Sequence, residues 1–336
     1  MIAITGGTGL LGAHLIYNLL KKGYKVKALR RPSSSLDMVK KVFSYYTGKA
    51  DYYYKQIEWY SGDLNDMVSL EDFLRKDDML FHCAGLVSFN KRQRRQLKKV
   101  NTAGTANISN AALNKGVAKL VYASSTSVLN RRDVSGIISE SSQWEKGKGN
   151  SCYGTTKMLA EHEVWRAQAE GLSTAIVNPA IILGPGPWES GSPRLFTSMW
   201  NGLKFYTPGV NAFVDVRDVA EAMVALMFSG IEAERFVLAA GNMDYKTLFT
   251  LIAAAIDRPA PKYKTTKLMA EIAWRLQTPW ALISSKTPMI TRETARSAME
   301  KNYYDGSKIT KYINFNYRPL EQSIEEIGEF FKKDHA

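Results

Sequence analysis

Residues 5–12 read Thr5-Gly6-Gly7-Thr8-Gly9-Leu10-Leu11-Gly12, a glycine-rich turn near the start of the chain. Before it lies a short apolar run, Met1 to Ile4. After it, Leu11, Leu15, Ile16, Leu19 and Leu20 recur at helical spacing until Gly23, which reads as a C-terminal cap. Tyr24 to Leu29 then reads as a second strand. Strand, glycine turn, helix, strand is a βαβ unit. In that setting Gly6 permits the tight turn, Gly9 lets backbone approach a pyrophosphate, and Gly12 lets the helix pack close to the sheet. Thr8, Leu10 and Leu11 complete the loop, and the free N–H groups of the helix N-terminus attract the phosphates.

The alternation continues outward. Ile57 to Tyr60, Met79 to Cys83, Leu120 to Ser124 and Ser173 to Asn178 read as strands. Between them lie helices near Val68 to Leu74, over roughly Arg92 to Lys115, and from Tyr153 to Glu170. This predicts an α/β fold, a Rossmann doubly wound parallel sheet with right-handed crossovers. After Pro179 the texture changes at Gly184-Pro185-Gly186-Pro187 and Gly191-Ser192-Pro193. Val214 to Met227 and Arg235 to Ala239 rejoin the alternation, and from about Tyr245 the chain is mainly helical. The expected division is a dinucleotide domain of 1–179 plus 212–243, and a smaller, mainly helical C-terminal substrate lobe of 180–211 plus 244–330. Leu268 to Ile283 carries Met, Trp and Leu at helical spacing, expected as core or pocket wall.

The 336 residues are 45 % hydrophobic and 23 % charged, an ordinary globular balance with ample material for a core. No run approaches the ~18 apolar residues of a membrane span, and the N-terminus does not read as a signal peptide, so a cytoplasmic protein is expected. The two cysteines and four histidines lack metal-ligand spacing, so no metal is expected. The net charge of +13 draws attention to the run Lys91-Arg92-Gln93-Arg94-Arg95-Gln96-Leu97-Lys98-Lys99. It reads as a solvated helix face, or as an anion-attracting rim beside the site. No nucleic-acid motif accompanies it.

The end of the second strand bears on the cofactor. An acidic residue there would bind the ribose hydroxyls of NAD(H). Here the chain has Arg30-Arg31, whose guanidinium groups suit a 2′-phosphate, so NADP(H) is preferred with NAD(H) possible. Asp63 and Leu64 are placed to meet the adenine. Ala84 and Gly85, small residues after the fourth strand, let the chain pass close to the cofactor.

Tyr153-Gly154-Thr155-Thr156-Lys157 sets Tyr and Lys at i and i+4 on one helix face. A free Tyr, with a pKa of about 10, is a poor acid–base catalyst at neutrality. A neighbouring ammonium is expected to lower that pKa. Ser124, Ser125 and Thr126 offer hydroxyls at a strand's C-terminal end, where ligands of open α/β sheets sit.

These residues together resemble the extended short-chain dehydrogenase/reductases over nearly the whole chain, near the dihydroflavonol reductases and 3β-hydroxysteroid dehydrogenases. The resemblance is carried by residues 5–12, Val100-Asn101-Thr102-Ala103-Gly104-Thr105, Ser124-Ser125, Tyr153 to Lys157, Asn178-Pro179 with Leu183-Gly184-Pro185-Gly186, and Phe213-Val214-Asp215-Val216-Arg217-Asp218-Val219-Ala220. Thr291-Arg292-Glu293, Asp305-Gly306-Ser307-Lys308 and Arg318-Pro319-Leu320-Glu321 are similar to the reductase branch. It implies Ser125, Tyr153 and Lys157 as catalytic residues, with Asn101 beside them. It also implies Arg31 on the cofactor phosphate, and Asn178 and Pro179 at the cofactor. The expected substrate is a small carbonyl or hydroxyl compound, and a homodimer is possible. Rival readings are a nucleotide-sugar epimerase or dehydratase, and a redox-silent dinucleotide sensor.

Overall fold

The computed structural model describes every residue except 131, 148–149 and 284–290, and for 91 and 276–283 the backbone alone. Seven strands form the central sheet: β1 (Ile2–Thr5), β2 (Val26–Arg30), β3 (Ile57–Ser61), β4 (Met79–His82), β5 (Lys119–Ala123), β6 (Thr174–Pro179) and β7 (Glu234–Leu238). Their order is β7-β6-β5-β4-β1-β2-β3, and every pairing is parallel. Every residue of β1, β5 and β6 is buried, as expected of strands covered on both faces by helices. The order turns back between β1 and β4, which opens a crevice at the carboxyl ends of those two strands.

Helices α1 (Leu10–Lys21) and α2 (Val216–Met227) pack together over one face, and their apolar sides share a core with Ile4, Phe81, Val121 and Phe236. On the other face, α3 (Cys152–Ala169) joins the Gly104–Lys115 helix around Leu80, Ile108, Leu120 and Tyr122. The helix expected over roughly Arg92 to Lys115 is continuous but uneven. A 3₁₀ turn (Lys91–Gln93), a short α segment (Arg94–Leu97) and a π segment (Lys98–Ala103) lead into Gly104–Lys115. Periodicity alone did not reveal the π turn, because residues 91–100 offer only Leu97 and Val100 as apolar positions, too few to show a break in spacing.

Beyond β6 the chain builds a three-stranded sheet from Ile181–Leu183, Val210–Asp215 and Gly241–Asp244, with Val210–Asp215 central. A third core gathers there around Trp188, Phe196, Leu248, Ile324 and Phe331. The stretch Asp215-Val216-Arg217-Asp218 joins the two regions. Asp215 caps α2 by accepting from the Arg217 N–H at 2.7 Å, and Arg217 also bonds Glu326 on the Leu320–His335 helix. Buried Asp218 takes Arg318, which also reaches Glu221 at 2.9 Å. The Lys267–Ile283 helix departs from expectation in its described part. Leu268 is 71 % and Ile272 48 % exposed, so these positions are not core, while Trp274 is half-buried; the positions from 276 onward lie outside the described side chains.

Among the described residues no helix is long and apolar enough to cross a membrane, and no cluster of three or more His, Cys, Asp or Glu side chains could hold a metal ion.

Candidate active site

The cradle for a dinucleotide sits where β1 ends. Gly6 turns with φ of 76°, and a Cβ there would lie 2.5 Å from the Ala84 backbone nitrogen, so glycine is required on both counts. A Cβ on Gly12 would lie 2.1 Å from the Gly6 carbonyl oxygen, which fixes how closely α1 approaches the turn. Gly9 differs: a Cβ there would meet only the Gly6 oxygen, at an ordinary 3.4 Å. Its surroundings are open on the side where α1 begins. No side chain caps that helix, so its first-turn N–H groups stay available to a phosphate. Leu10 packs beneath Gly186, Leu11 packs against the core, and Thr8 is half-buried beside them.

Arg30 ends β2 with its Nε buried and without a partner in the protein. Arg31 is exposed. Asp63 accepts from the Asn65 backbone N–H at 2.8 Å and its side-chain amide at 2.7 Å. Burial alone would raise the Asp63 pKa, but these bonds and the nearby Arg31 and Lys99 cations hold it below the usual range. Lys99, on the π segment, belongs to the basic run noted in the sequence, but its neighbourhood with Asp63 is visible only in three dimensions. Leu64 is buried against Gly104.

Ala84 and Gly85 lie in the loop after β4, and a Cβ on Gly85 would sit 3.5 Å from Asn101 Oδ1 and 4.0 Å from Lys157 Nζ. Asn101 is buried. Its Oδ1 accepts from the Leu86 N–H at 2.7 Å, and its Nδ2 donates to the Leu86 carbonyl at 3.0 Å and to Thr156 Oγ1 at 3.2 Å. It therefore ties the β4 loop to α3, one residue from Lys157. Asn178 is likewise turned inward, donating to the Ser125 carbonyl at 3.3 Å and to Glu161 at 2.8 Å. It braces the strand end that carries Ser125, and Pro179 follows it, buried in β6.

Ser125, Tyr153 and Lys157 converge at the carboxyl end of β5. The Ser125 hydroxyl hydrogen-bonds Tyr153 and also accepts from the Ser127 N–H at 3.1 Å. The rival hydroxyls point elsewhere: Thr126 bonds Tyr304, and Ser124 is buried without a partner. Phe89 packs edge-on to the Tyr153 ring at 5.8 Å. Burial pushes the Tyr153 phenol above its ordinary value, and the Ser125 bond offsets this in part. The expectation that Lys157 lowers the Tyr153 pKa is not met in this arrangement. Lys157 Nζ instead donates to the Tyr122 hydroxyl at 2.5 Å and to the Ala123 carbonyl at 2.8 Å. An i, i+4 pair shares a helix face, but a long side chain goes to its best acceptors, and β5 supplies two. Burial lowers Lys157 to about 7, with Glu161 one turn on opposing the shift.

Sequence reading missed Tyr122, which resembles any core aromatic in a strand, and Glu161. Glu161 is 3 % exposed and is met by Arg235 at 3.1 Å, whose guanidinium also donates to the Glu140 and Ser142 carbonyls. Removing one partner of a buried pair leaves an uncompensated charge. Arg235→Ala should therefore lower unfolding free energy by about 3 kcal/mol, measured by urea denaturation. A change below ~1 kcal/mol would show that Glu161 does not need this partner.

In the basic run, Leu97 is the buried anchor, while Arg94, Arg95, Lys98 and Lys99 are exposed. Arg94 and Lys98 lie close enough to Cys152, beside Tyr153, to oppose the upward shift that burial gives its thiol.

The sequence pattern of the NAD dependent epimerase/dehydratase family matches residues 2–239. A protein of Synechocystis sp. named putative dihydroflavonol 4-reductase is 28 % identical over 98 % of this chain and 94 % of its own. Sterol demethylase protein B of Methylococcus capsulatus is 31 % identical over 77 % of this chain and 75 % of its own. Among solved structures, UDP-glucose 4-epimerase of Thermotoga maritima superposes with a TM-score of 0.77 at 20 % identity, covering 100 % of this chain and 99 % of the other. With its glycine cradle on a parallel sheet, the chain belongs to the NAD dependent epimerase/dehydratase family, as an extended short-chain dehydrogenase/reductase.

Proposed function

We propose that this chain is an NADP(H)-dependent reductase of an aldehyde or ketone. The observation that carries the reading is the Ser125–Tyr153 hydroxyl pair at the carboxyl end of β5, with Lys157 one turn further along α3. When bound, the nicotinamide supplies the hydride. Tyr153, kept protonated by burial, gives its proton to the substrate carbonyl oxygen as that oxygen gains charge. Ser125 donates a hydrogen bond to the same oxygen and holds it in place. The Lys157 ammonium, held by the Tyr122 hydroxyl and the Ala123 carbonyl, would meet the nicotinamide ribose. Asn101 acts through Leu86 and Thr156, holding the loop of Ala84 and Gly85 against α3.

The remaining contacts divide along the crevice. Gly6, Thr8, Gly9, Leu10, Leu11 and Gly12 hold the pyrophosphate, Asp63 and Leu64 the adenine, and Asn178 with Pro179 supports the nicotinamide side. Residues 1–179 and 212–243 carry the dinucleotide, and 180–211 with 244–330 the substrate. Preference for NADP(H) is supported by Arg30 and Arg31 at the end of β2, with Lys99 nearby. Arg31→Ala should weaken NADPH about tenfold or more and leave NADH within about twofold. Equal weakening, read by fluorescence titration, would remove Arg31 from the 2′-phosphate.

Relatives named cinnamoyl-CoA reductase in Petunia hybrida and Arabidopsis thaliana add support for carbonyl reduction. The test is a panel of aldehydes and ketones with NADPH, followed by loss of nicotinamide absorbance. Substrate-dependent oxidation supports a reductase. No oxidation across the panel, with conversion of a nucleotide sugar instead, would favour an epimerase or dehydratase, the second reading that the family's own description supports.

A further inference from the structure

We propose that Tyr122 is the positioning residue for Lys157, and that a buried hydrogen-bonded chain behind it makes its hydroxyl a strong acceptor for the lysine ammonium. The inference rests on the reading of Lys157 as part of the proton-transferring set.

Tyr122 is fully buried in β5. Its hydroxyl lies 2.5 Å from Lys157 Nζ, and its ring centroid lies 4.2 Å from the same atom. The ammonium therefore has the phenol oxygen, the Ala123 carbonyl and a π face. Behind Tyr122 stand three further polar side chains. Thr105 is hydrogen-bonded to the Tyr122 hydroxyl, and its Oγ1 lies 3.0 Å from His82 Nε2. His82 Nδ1 lies 2.6 Å from Thr5 Oγ1, and the imidazole stacks on the Tyr122 ring at 5.3 Å. Thr5 is the last residue of β1, so the chain ends at the glycine turn.

Burial first, and then the Lys157 charge, lower His82 to about 3, so the imidazole is neutral at any working pH. A neutral imidazole has one N–H and one lone pair. The sense that runs away from the ammonium has Lys157 donating to Tyr122, Tyr122 to Thr105, Thr105 to His82 Nε2, and His82 Nδ1–H to Thr5. Each donation polarises the next, which strengthens the Tyr122 oxygen as an acceptor for Lys157. The other titratable groups around Lys157 are Glu161 and Tyr153 on its own helix, and Cys83 after β4. Burial keeps the Cys83 thiol and the Tyr122 phenol protonated, so among these groups Glu161 carries the opposing charge.

The sign of the pH effect follows. Lys157 is needed charged, and burial leaves it losing its proton as pH rises through about 7 in the free protein. Tyr122→Phe keeps the ring but removes the acceptor, so the charge is lost at lower pH. The alkaline limb of the kcat/KM profile should move about one pH unit toward acid. Thr105→Val keeps the phenol and cuts the chain behind it, and should move the limb the same way by less. A parallel readout needs no activity: NMR of protein labelled at the lysine ε-carbon, without cofactor, with Lys157→Met assigning the resonance. The proposal expects the Lys157 midpoint to fall in Tyr122→Phe, and by less in Thr105→Val. Unchanged midpoints in both variants, even with lower thermal stability, would overturn it. Absence of reductase activity with a shifted midpoint would instead sink the reading of the site and leave Tyr122's role standing.

Discussion

Replacing Tyr153 with Phe should lower kcat by a factor on the order of 10² or more while dinucleotide affinity stays within about twofold. The ring would keep its edge-on contact with Phe89, so the fold loses one hydroxyl and little else. That hydroxyl is bonded to Ser125, and the titratable neighbours among the described residues are poorly suited to replace it as a proton donor. Cys152 is adjacent but is tuned upward by burial, and Lys157 is turned toward β5. Ser125→Ala should cost less, because it removes a hydrogen bond to the substrate oxygen and leaves the proton donor in place. Steady-state kinetics on both variants, with cofactor titration beside them, would measure the difference. Equal turnover in Tyr153→Phe and the parent would take the phenol out of the chemistry.

The second large effect is expected at the glycine turn, where two glycines should fail in different ways. Gly9→Val should weaken dinucleotide binding about tenfold or more, roughly 1.4 kcal/mol, with little change in thermal stability. Its Cβ would find only ordinary contact within the protein, so a loss must come from what approaches from outside. Gly12→Val should harm both, because its Cβ would press on the Gly6 carbonyl and force α1 away from the turn. Denaturation and cofactor titration on the two variants separate the cases. Intact binding in Gly9→Val would mean that the pyrophosphate lies elsewhere.

Those glycines also show what a sequence can disclose. The turn, the helix after it and the strands are local patterns, set by spacing of apolar side chains and by residues that permit unusual backbone. Tyr153 and Lys157 were legible for the same reason, since four positions on a helix fix their shared face. The direction in which Lys157 points was not legible. It depends on Tyr122 and Ala123, 35 and 34 positions earlier in sequence but adjacent in the fold. Nor were Lys99 beside Asp63, or Arg235 on Glu161, since neither pair leaves a periodic trace. Asp215-Val216-Arg217-Asp218 stood out as a family signature, and its physical work is structural: a helix cap and two ion-pair anchors to the C-terminal region.

The reductase reading turns on whether the nicotinamide leaves after each turnover. The purified protein should be denatured in part to identify any released nucleotide. The rest should be mixed with NADPH and, separately, NADH to time exchange. Loosely held nucleotide that exchanges readily, with NADPH bound more tightly than NADH, is the expected result. Retained NAD⁺ that resists exchange would contradict the account, since it would mark a cofactor recycled in place and a different role for Arg30 and Arg31.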